Sequence, residues 1–181
     1  MKKSILALAL GSLMTGTAFA EAYVGAGIGQ GHIELNCTSA SSGCNTYDTG
    51  FKLNGGYMVT PSIAVELDYI RFGHARAVVG GVNIEFTSSA LGAGAAYFHH
   101  FTPKWSGMAR LGVATVRMKG DTAVPGLADS QASTNLFGGA GLAYELSKGL
   151  SITADIDLSR GKIDAEMGDL RLFSVGLRKS F

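Results

Sequence analysis

The chain has 181 residues, one domain's worth; 46% are hydrophobic and 16% charged, against about 25% charged in an ordinary soluble domain. Its formal net charge is +1, which excludes the strongly basic balance of a nucleic-acid binder. Beyond Ala20 no stretch is apolar enough for a membrane helix, which needs about 20 such residues. A charge-poor, apolar chain without such a helix can still live in lipid by closing a sheet into a barrel, which leaves no backbone group unpaired.

Residues 1–20, "MKKSILALALGSLMTGTAFA", combine a basic start (Lys2, Lys3), an apolar run Ile5–Leu10 and a small-x-small site at Ala18–Ala20. That pattern is a secretory signal peptide; cleavage after Ala20 leaves 21–181 as the folded domain. Loss of Lys2 and Lys3, the only charges in the segment, takes +1 to −1 (1 − 2 = −1).

The first mature segment, Ala22–Glu34, contains "YVGAGIGQGH", with glycine at 25, 27, 29 and 31. A phosphate loop needs G-x-G-x-x-G or G-x-x-x-x-G-K-[ST] spacing; glycine with period two instead strips one face of a strand. Cys37 and Cys44 follow in a Ser/Gly-rich stretch. In an exported protein a local disulfide is the expected state, worth roughly 2–3 kcal/mol in the chain-entropy model. Two thiols without a nearby His pair make a poor zinc site.

Seven more alternating segments follow: Thr49–Val59, Ile63–Phe72, Val82–Phe101, Trp105–Val116, Thr134–Leu146, Leu150–Ser159 and Leu170–Phe181. The cleanest sets Leu150, Ile152, Ala154, Ile156 and Leu158 against Ser151, Thr153, Asp155, Asp157 and Ser159. In Val82–Phe101 the apolar parity changes from even (Val82, Ile84, Phe86) to odd (Leu91 onward), which predicts a bulge or the membrane exit near Ser88–Ser89. Short turns at Thr60–Ser62, Thr102–Lys104 and Ser147–Gly149 alternate with longer polar loops at Leu35–Asp48, Gly73–Gly81, Lys119–Ser133 and Arg160–Asp169. An even strand number with short turns at one end and longer loops at the other predicts an all-β, eight-stranded antiparallel up-and-down transmembrane β-barrel.

A soluble barrel also alternates, with its apolar face inward. Here the polar face is small and mild, and aromatics (Tyr57, Tyr97, Trp105, Tyr144) gather on the apolar face beside the short turns. That reads as an interfacial girdle on a lipid-facing surface. The glycines then lie inside, where they make room for long inward side chains of other strands.

The start "YVGAGIG", the segment "GGYMVTPSIAVELDY" and the ending "VGLRKSF" resemble the OmpA/OmpX-type outer-membrane β-barrel superfamily across the mature chain. The resemblance implies that Phe173, Val175, Leu177 and the aromatic Phe181 are read by the barrel-assembly machinery. Lys179 departs from the family's usual apolar or aromatic residue, and a Lys near the interface can snorkel. No peptidoglycan-binding domain is expected within 1–181, so no wall-tethering role carries over.

Inward charges are Lys52, Glu66, Asp68, Arg110, Glu145, Asp155, Asp157 and Arg178. Counted from the short turns, Glu66, Glu145 and Arg178 form a low layer and Lys52, Asp68, Arg110 and Asp155 a middle one. Buried charges need partners, so two ion-pair layers are expected to close the lumen. His99 and His100 are adjacent and point to opposite faces, which prevents joint chelation. His32, His74, Glu85, Ser88, Ser89 and Ser159 gather toward the rim without a known catalytic motif. The sequence therefore predicts no catalytic residues, metal site or cofactor. It points to a non-enzymatic outer-membrane protein of the Gram-negative envelope serving integrity and surface contact, through adhesion or host-factor resistance. A narrow solute channel is the alternative, and a lipid A-modifying enzyme the third reading. Expected partners are outer-membrane lipids and lipopolysaccharide and the assembly machinery; a host or surface ligand through the loops is left open. A monomer is expected.

Overall fold

The computed structural model describes residues 21–34, 41–79, 82–122, 129–163 and 166–181. The strands are β1 (Ala22–Ile33), β2 (Ser41–Asn45), β3 (Tyr47–Thr60), β4 (Ile63–Val79), β5 (Val82–His100), β6 (Trp105–Thr122), β7 (Asp129–Ser147), β8 (Leu150–Ile163) and β9 (Glu166–Ser180). Eight of them form a closed ring in the order β4-β3-β1-β9-β8-β7-β6-β5, with β5 returning to β4. Every pairing is antiparallel. The short β2 pairs only with the upper end of β4 and so extends the wall above β3. Closure gives every strand of the ring two neighbours, which is what a strand architecture needs in lipid.

Local chemistry sets the short turns. Thr60 Oγ1 accepts from the amides of Ser62 (3.3 Å) and Ile63 (3.0 Å). Thr102 Oγ1 does the same for Lys104 (3.3 Å) and Trp105 (3.0 Å), so the two Thr-Pro turns share one hydroxyl-to-backbone device. The third short turn instead uses Gly149 at φ +70°, a conformation glycine adopts without a Cβ penalty.

Alternation then sorts the side chains. Val65, Leu67, Leu91, Leu111, Val113, Leu142, Phe173 and Val175 all face outward and are exposed, forming the apolar belt that meets hydrocarbon. Above the belt the polarity reverses. On β6 the outward residues after Val113 are Thr115, Arg117 and Lys119, while inward Val116 and Met118 are buried. Ile33, Ile70, Phe72, Ala90, Phe137, Leu170 and Leu172 join Val116 and Met118 in one apolar cluster that fills the upper lumen.

This reversal decides between the bulge and the membrane exit expected in the fourth segment, in favour of the exit. β5 pairs with β6 in unbroken register through Ser88↔Met118 and Ser89↔Arg117. The irregularity lies in the partner strand, between Arg71 and Gly73 of β4 opposite Ser89 and Ser88. Gly73 there has φ +92°. The parity change in β5 marks the height at which the barrel's interior, rather than its exterior, becomes apolar. The strands also run past the predicted loop boundaries, because above the belt they continue as a wall with an apolar inside.

Candidate functional site

The lower lumen holds the chain's buried ions. Arg110 of β6 stands at the centre: Nη1 lies 2.6 Å from Asp68 Oδ1, 3.1 Å from Glu66 Oε1 and 3.5 Å from Asp157 Oδ1, and Nη2 lies 3.7 Å from Asp155 Oδ1. Lys52 Nζ reaches Asp157 Oδ2 at 2.9 Å and Asp155 Oδ2 at 3.2 Å. Tyr23 donates its hydroxyl to Glu66 Oε2 at 2.5 Å, and Asn54 Nδ2 donates to the same oxygen at 3.2 Å. The network thus ties β1, β3, β4, β6 and β8 across the barrel axis.

The intervening strands give space. Gly25 and Gly27 of β1 back onto the Asn54 and Lys52 side chains, and Gly139 and Gly141 of β7 back onto the carboxylates of Asp157 and Asp155. A Cβ at Gly139 would stand 2.7 Å from Asp157 Oδ1 and at Gly141 would collide with the Asp155 carboxylate. Long residues on some strands therefore oppose glycine on others, as a narrow interior requires. Gly29 and Gly31 have a different cause: a Cβ there would strike the backbone carbonyls of Phe173 and Phe72.

The eight expected inward charges divide unevenly. Lys52, Glu66, Asp68, Arg110, Asp155 and Asp157 make one network, in place of the two layers expected. Glu66 stands at the lower level by position along β4, but its longer side chain reaches the same guanidinium as Asp68. Arg178 lies over the Phe98 ring at 4.9 Å and the Tyr23 ring at 5.9 Å, a cation–π arrangement. Glu145 accepts from the Gly149 amide at 3.3 Å, at the short-turn end. Sequence reasoning missed Tyr23, Asn54 and Phe98 as partners, although each sits at an inward parity position. Glu66 Oε1, Arg110 Nε and Asp157 Oδ1 accept or donate no protein hydrogen bond. A cavity of about 10 Å³ beside Lys52, Asn54, Arg110, Asp155 and Arg178 is the size of a single water site.

The remaining predicted positions lie elsewhere. Tyr57, Tyr97 and Trp105 are exposed on the outer face, and the Trp105 and Tyr144 rings meet at a tilt of 57° with centroids 5.0 Å apart, with Lys104 over Tyr144 at 6.0 Å. Phe173, Val175, Leu177 and Phe181 face outward along β9 and beyond it, and Lys179 donates to the Lys148 carbonyl at 3.3 Å. Cys37 and residues 1–20 lie outside the described residues, as does the side chain of Cys44. His99 and His100 are both exposed, and His99 rests against Phe101 at 5.1 Å. Among the described residues no group of His, Cys, Asp or Glu is arranged to hold a metal.

At the rim, His74 Nδ1 lies 2.7 Å from Asp48 Oδ2, which also accepts from the His74 amide at 2.9 Å. Arg71 Nη2 lies 3.1 Å from His74 Nε2, and Glu85 Oε1 lies 3.7 Å from that nitrogen. Partial burial raises the Asp48 pKa, but hydrogen bonds from His74 and the Thr49 amide outweigh it and hold the carboxyl below its ordinary range. Ser88 and Ser159 bury their hydroxyls inside the barrel, on the opposite side of the wall from His74, so neither of them pairs with it.

A closed antiparallel barrel with a lipid-facing belt and an ion-filled lower lumen defines an outer-membrane barrel protein. The outer membrane protein beta-barrel domain family matches residues 4–181, and the chain belongs to that family. No curated protein sequence matches it. Among solved structures it is similar to Neisserial surface protein A, at 17% identity and TM-score 0.65, covering 88% of this chain and 97% of that one. OprG from Pseudomonas aeruginosa is similar at 17% identity and TM-score 0.63, covering 92% and 98%. Ail, the attachment invasion locus protein of Yersinia pestis, was solved with the heparin analogue sucrose octasulfate; it is similar at 18% identity and TM-score 0.58, covering 90% and 99%. These likenesses carry the fold.

Proposed function

We propose that this outer-membrane barrel is a non-conducting, non-enzymatic protein that supports envelope integrity and makes surface contacts through its rim. The observation that supports this reading is the doubly filled lumen, with an ion network below and an apolar cluster above. The wall continues above the belt and presents Asp48, Arg71, His74, Arg117 and Lys119 to the outside, a polar collar suited to contact with surfaces. Two fold neighbours carry a surface or attachment role in their names; at 17–18% identity that role is a proposal for this chain. Export with cleavage after Ala20, a Cys37–Cys44 disulfide, recognition of Phe173–Phe181 by the assembly machinery, lipopolysaccharide as a neighbour and a monomeric state belong to the same proposal.

A deletion strain tests it when scored for detergent sensitivity and for binding to host or abiotic surfaces. Both should change, and complementation should restore them. Unchanged behaviour in both assays contradicts the role. Mass spectrometry of lipid A from the two strains should show identical acylation; a difference would make the protein an enzyme.

A further inference from the structure

The barrel wall is not paired along its full height. The β7–β8 ladder runs from the Ser147–Leu150 turn up to Gly138↔Leu158 and stops. Both strands continue above that point on their other neighbours: β7 pairs with β6 as far as Asp129, and β8 pairs with β9 as far as Ile163. The wall therefore parts into two hairpins. Just above that point the backbone of β8 comes close to the apolar cluster: a Cβ at Gly161 would lie 2.7 Å from Met118 Sδ and 3.3 Å from Leu170 Cδ1. Asn135 Nδ2 reaches over the gap to the Arg160 carbonyl at 2.8 Å.

The parting leaves a cleft of about 890 Å³, within the range of ligand sites. Its outer walls are Leu111, Leu136, Leu158 and Phe173, all belt residues, and its floor reaches Phe137 and Leu170 of the apolar cluster. Leu136 is 73% exposed. The cleft is thus continuous with the surface that hydrocarbon covers. Arg160 and Arg171 stand at its upper margin and share one carboxylate, Asp169, at 3.3 Å and 3.4 Å. Two guanidiniums against one acid leave one positive charge over. Exposed pairs of this kind are weak, so the guanidinium donors remain open to a stronger anion. The unpaired strand edges on both sides also need polar partners where the belt ends.

We infer that the β7–β8 notch binds one anionic, phosphate-bearing lipid of the outer leaflet. An acyl chain lies on Leu136, Leu158 and Phe173, and the headgroup phosphate rests between Arg160 and Arg171. The lipid completes the wall where the ladder is missing.

Native mass spectrometry of the folded mature chain, released from micelles containing phosphatidylglycerol and phosphatidylcholine in equal amounts, tests this. One phosphatidylglycerol should be retained in preference to phosphatidylcholine. R160A/R171A should lower that retention about tenfold or more, from roughly 1 kcal/mol per basic residue at a membrane surface. R71A, which removes an outward arginine of β4 at the same height but across the ring from β8, should leave it unchanged. Equal retention of the two lipids, an unaffected double variant, or an equal loss in R71A would each overturn the site. Full displacement of the lipid by excess inorganic phosphate would also overturn it, because the acyl chain would then contribute nothing.

Discussion

Arg110 and Val116 lie on the same inward face of β6, yet their neighbours are opposite. Arg110 touches four carboxylates, whereas Val116 is wholly buried among Phe72, Met118, Phe137 and other apolar side chains. Outside the wall the order is reversed: Leu111 and Val113 face lipid, and Arg117 and Lys119 face water. Hydrocarbon outside allows the polar residues to turn in; water outside drives the apolar residues in. One barrel therefore uses the rule of a membrane protein in its lower half and of a soluble barrel in its upper half.

The two halves should break differently. Arg110→Ala removes the centre of the ion network and leaves Glu66 and Asp68 without a base, since Lys52 pairs with Asp155 and Asp157. About 3–5 kcal/mol should be lost, measured by reversible urea unfolding in lipid vesicles. In the upper half Leu172→Ala leaves a cavity in the apolar cluster and should cost about 2–4 kcal/mol in the same assay, with no new charge to satisfy. On the outer face Leu67→Arg, within the belt, should cost about 2–4 kcal/mol, whereas Thr115→Arg at its upper margin should cost at most about 1 kcal/mol. Equal costs for those two would place the belt boundary elsewhere. The smallest effect, near zero, is expected for Arg171→Ala on stability, because its pair with Asp169 is exposed.

The belt was readable in the sequence because its alternation is strict: β8 sets Ile152, Ala154, Ile156 and Leu158 outward and Thr153, Asp155 and Asp157 inward without a break. Strand number, short turns and the identity of the inward charges followed from the same period. The upper half was legible only as a pair of alternatives, a bulge or the membrane exit, because a switch in apolar parity looks the same whether the strand kinks or the medium outside changes. Phe86, packed against the apolar cluster inside the barrel, decides for the exit. The grouping of the charges was also beyond a count along strands, because Glu66 and Arg178 reach their partners through side-chain length and strand tilt. The β7–β8 parting left no mark in the alternation of either strand, because pairing is a relation between two strands and neither strand's own period records it.

The claim that both halves seal the lumen is tested most directly by recording wild-type protein and Arg110→Ala in planar lipid bilayers. The account predicts no steady conductance from the wild type. Steady single-channel conductance from the wild type, enlarged by Arg110→Ala, would mean that ions pass the lower network and the apolar cluster above it, and would contradict the account.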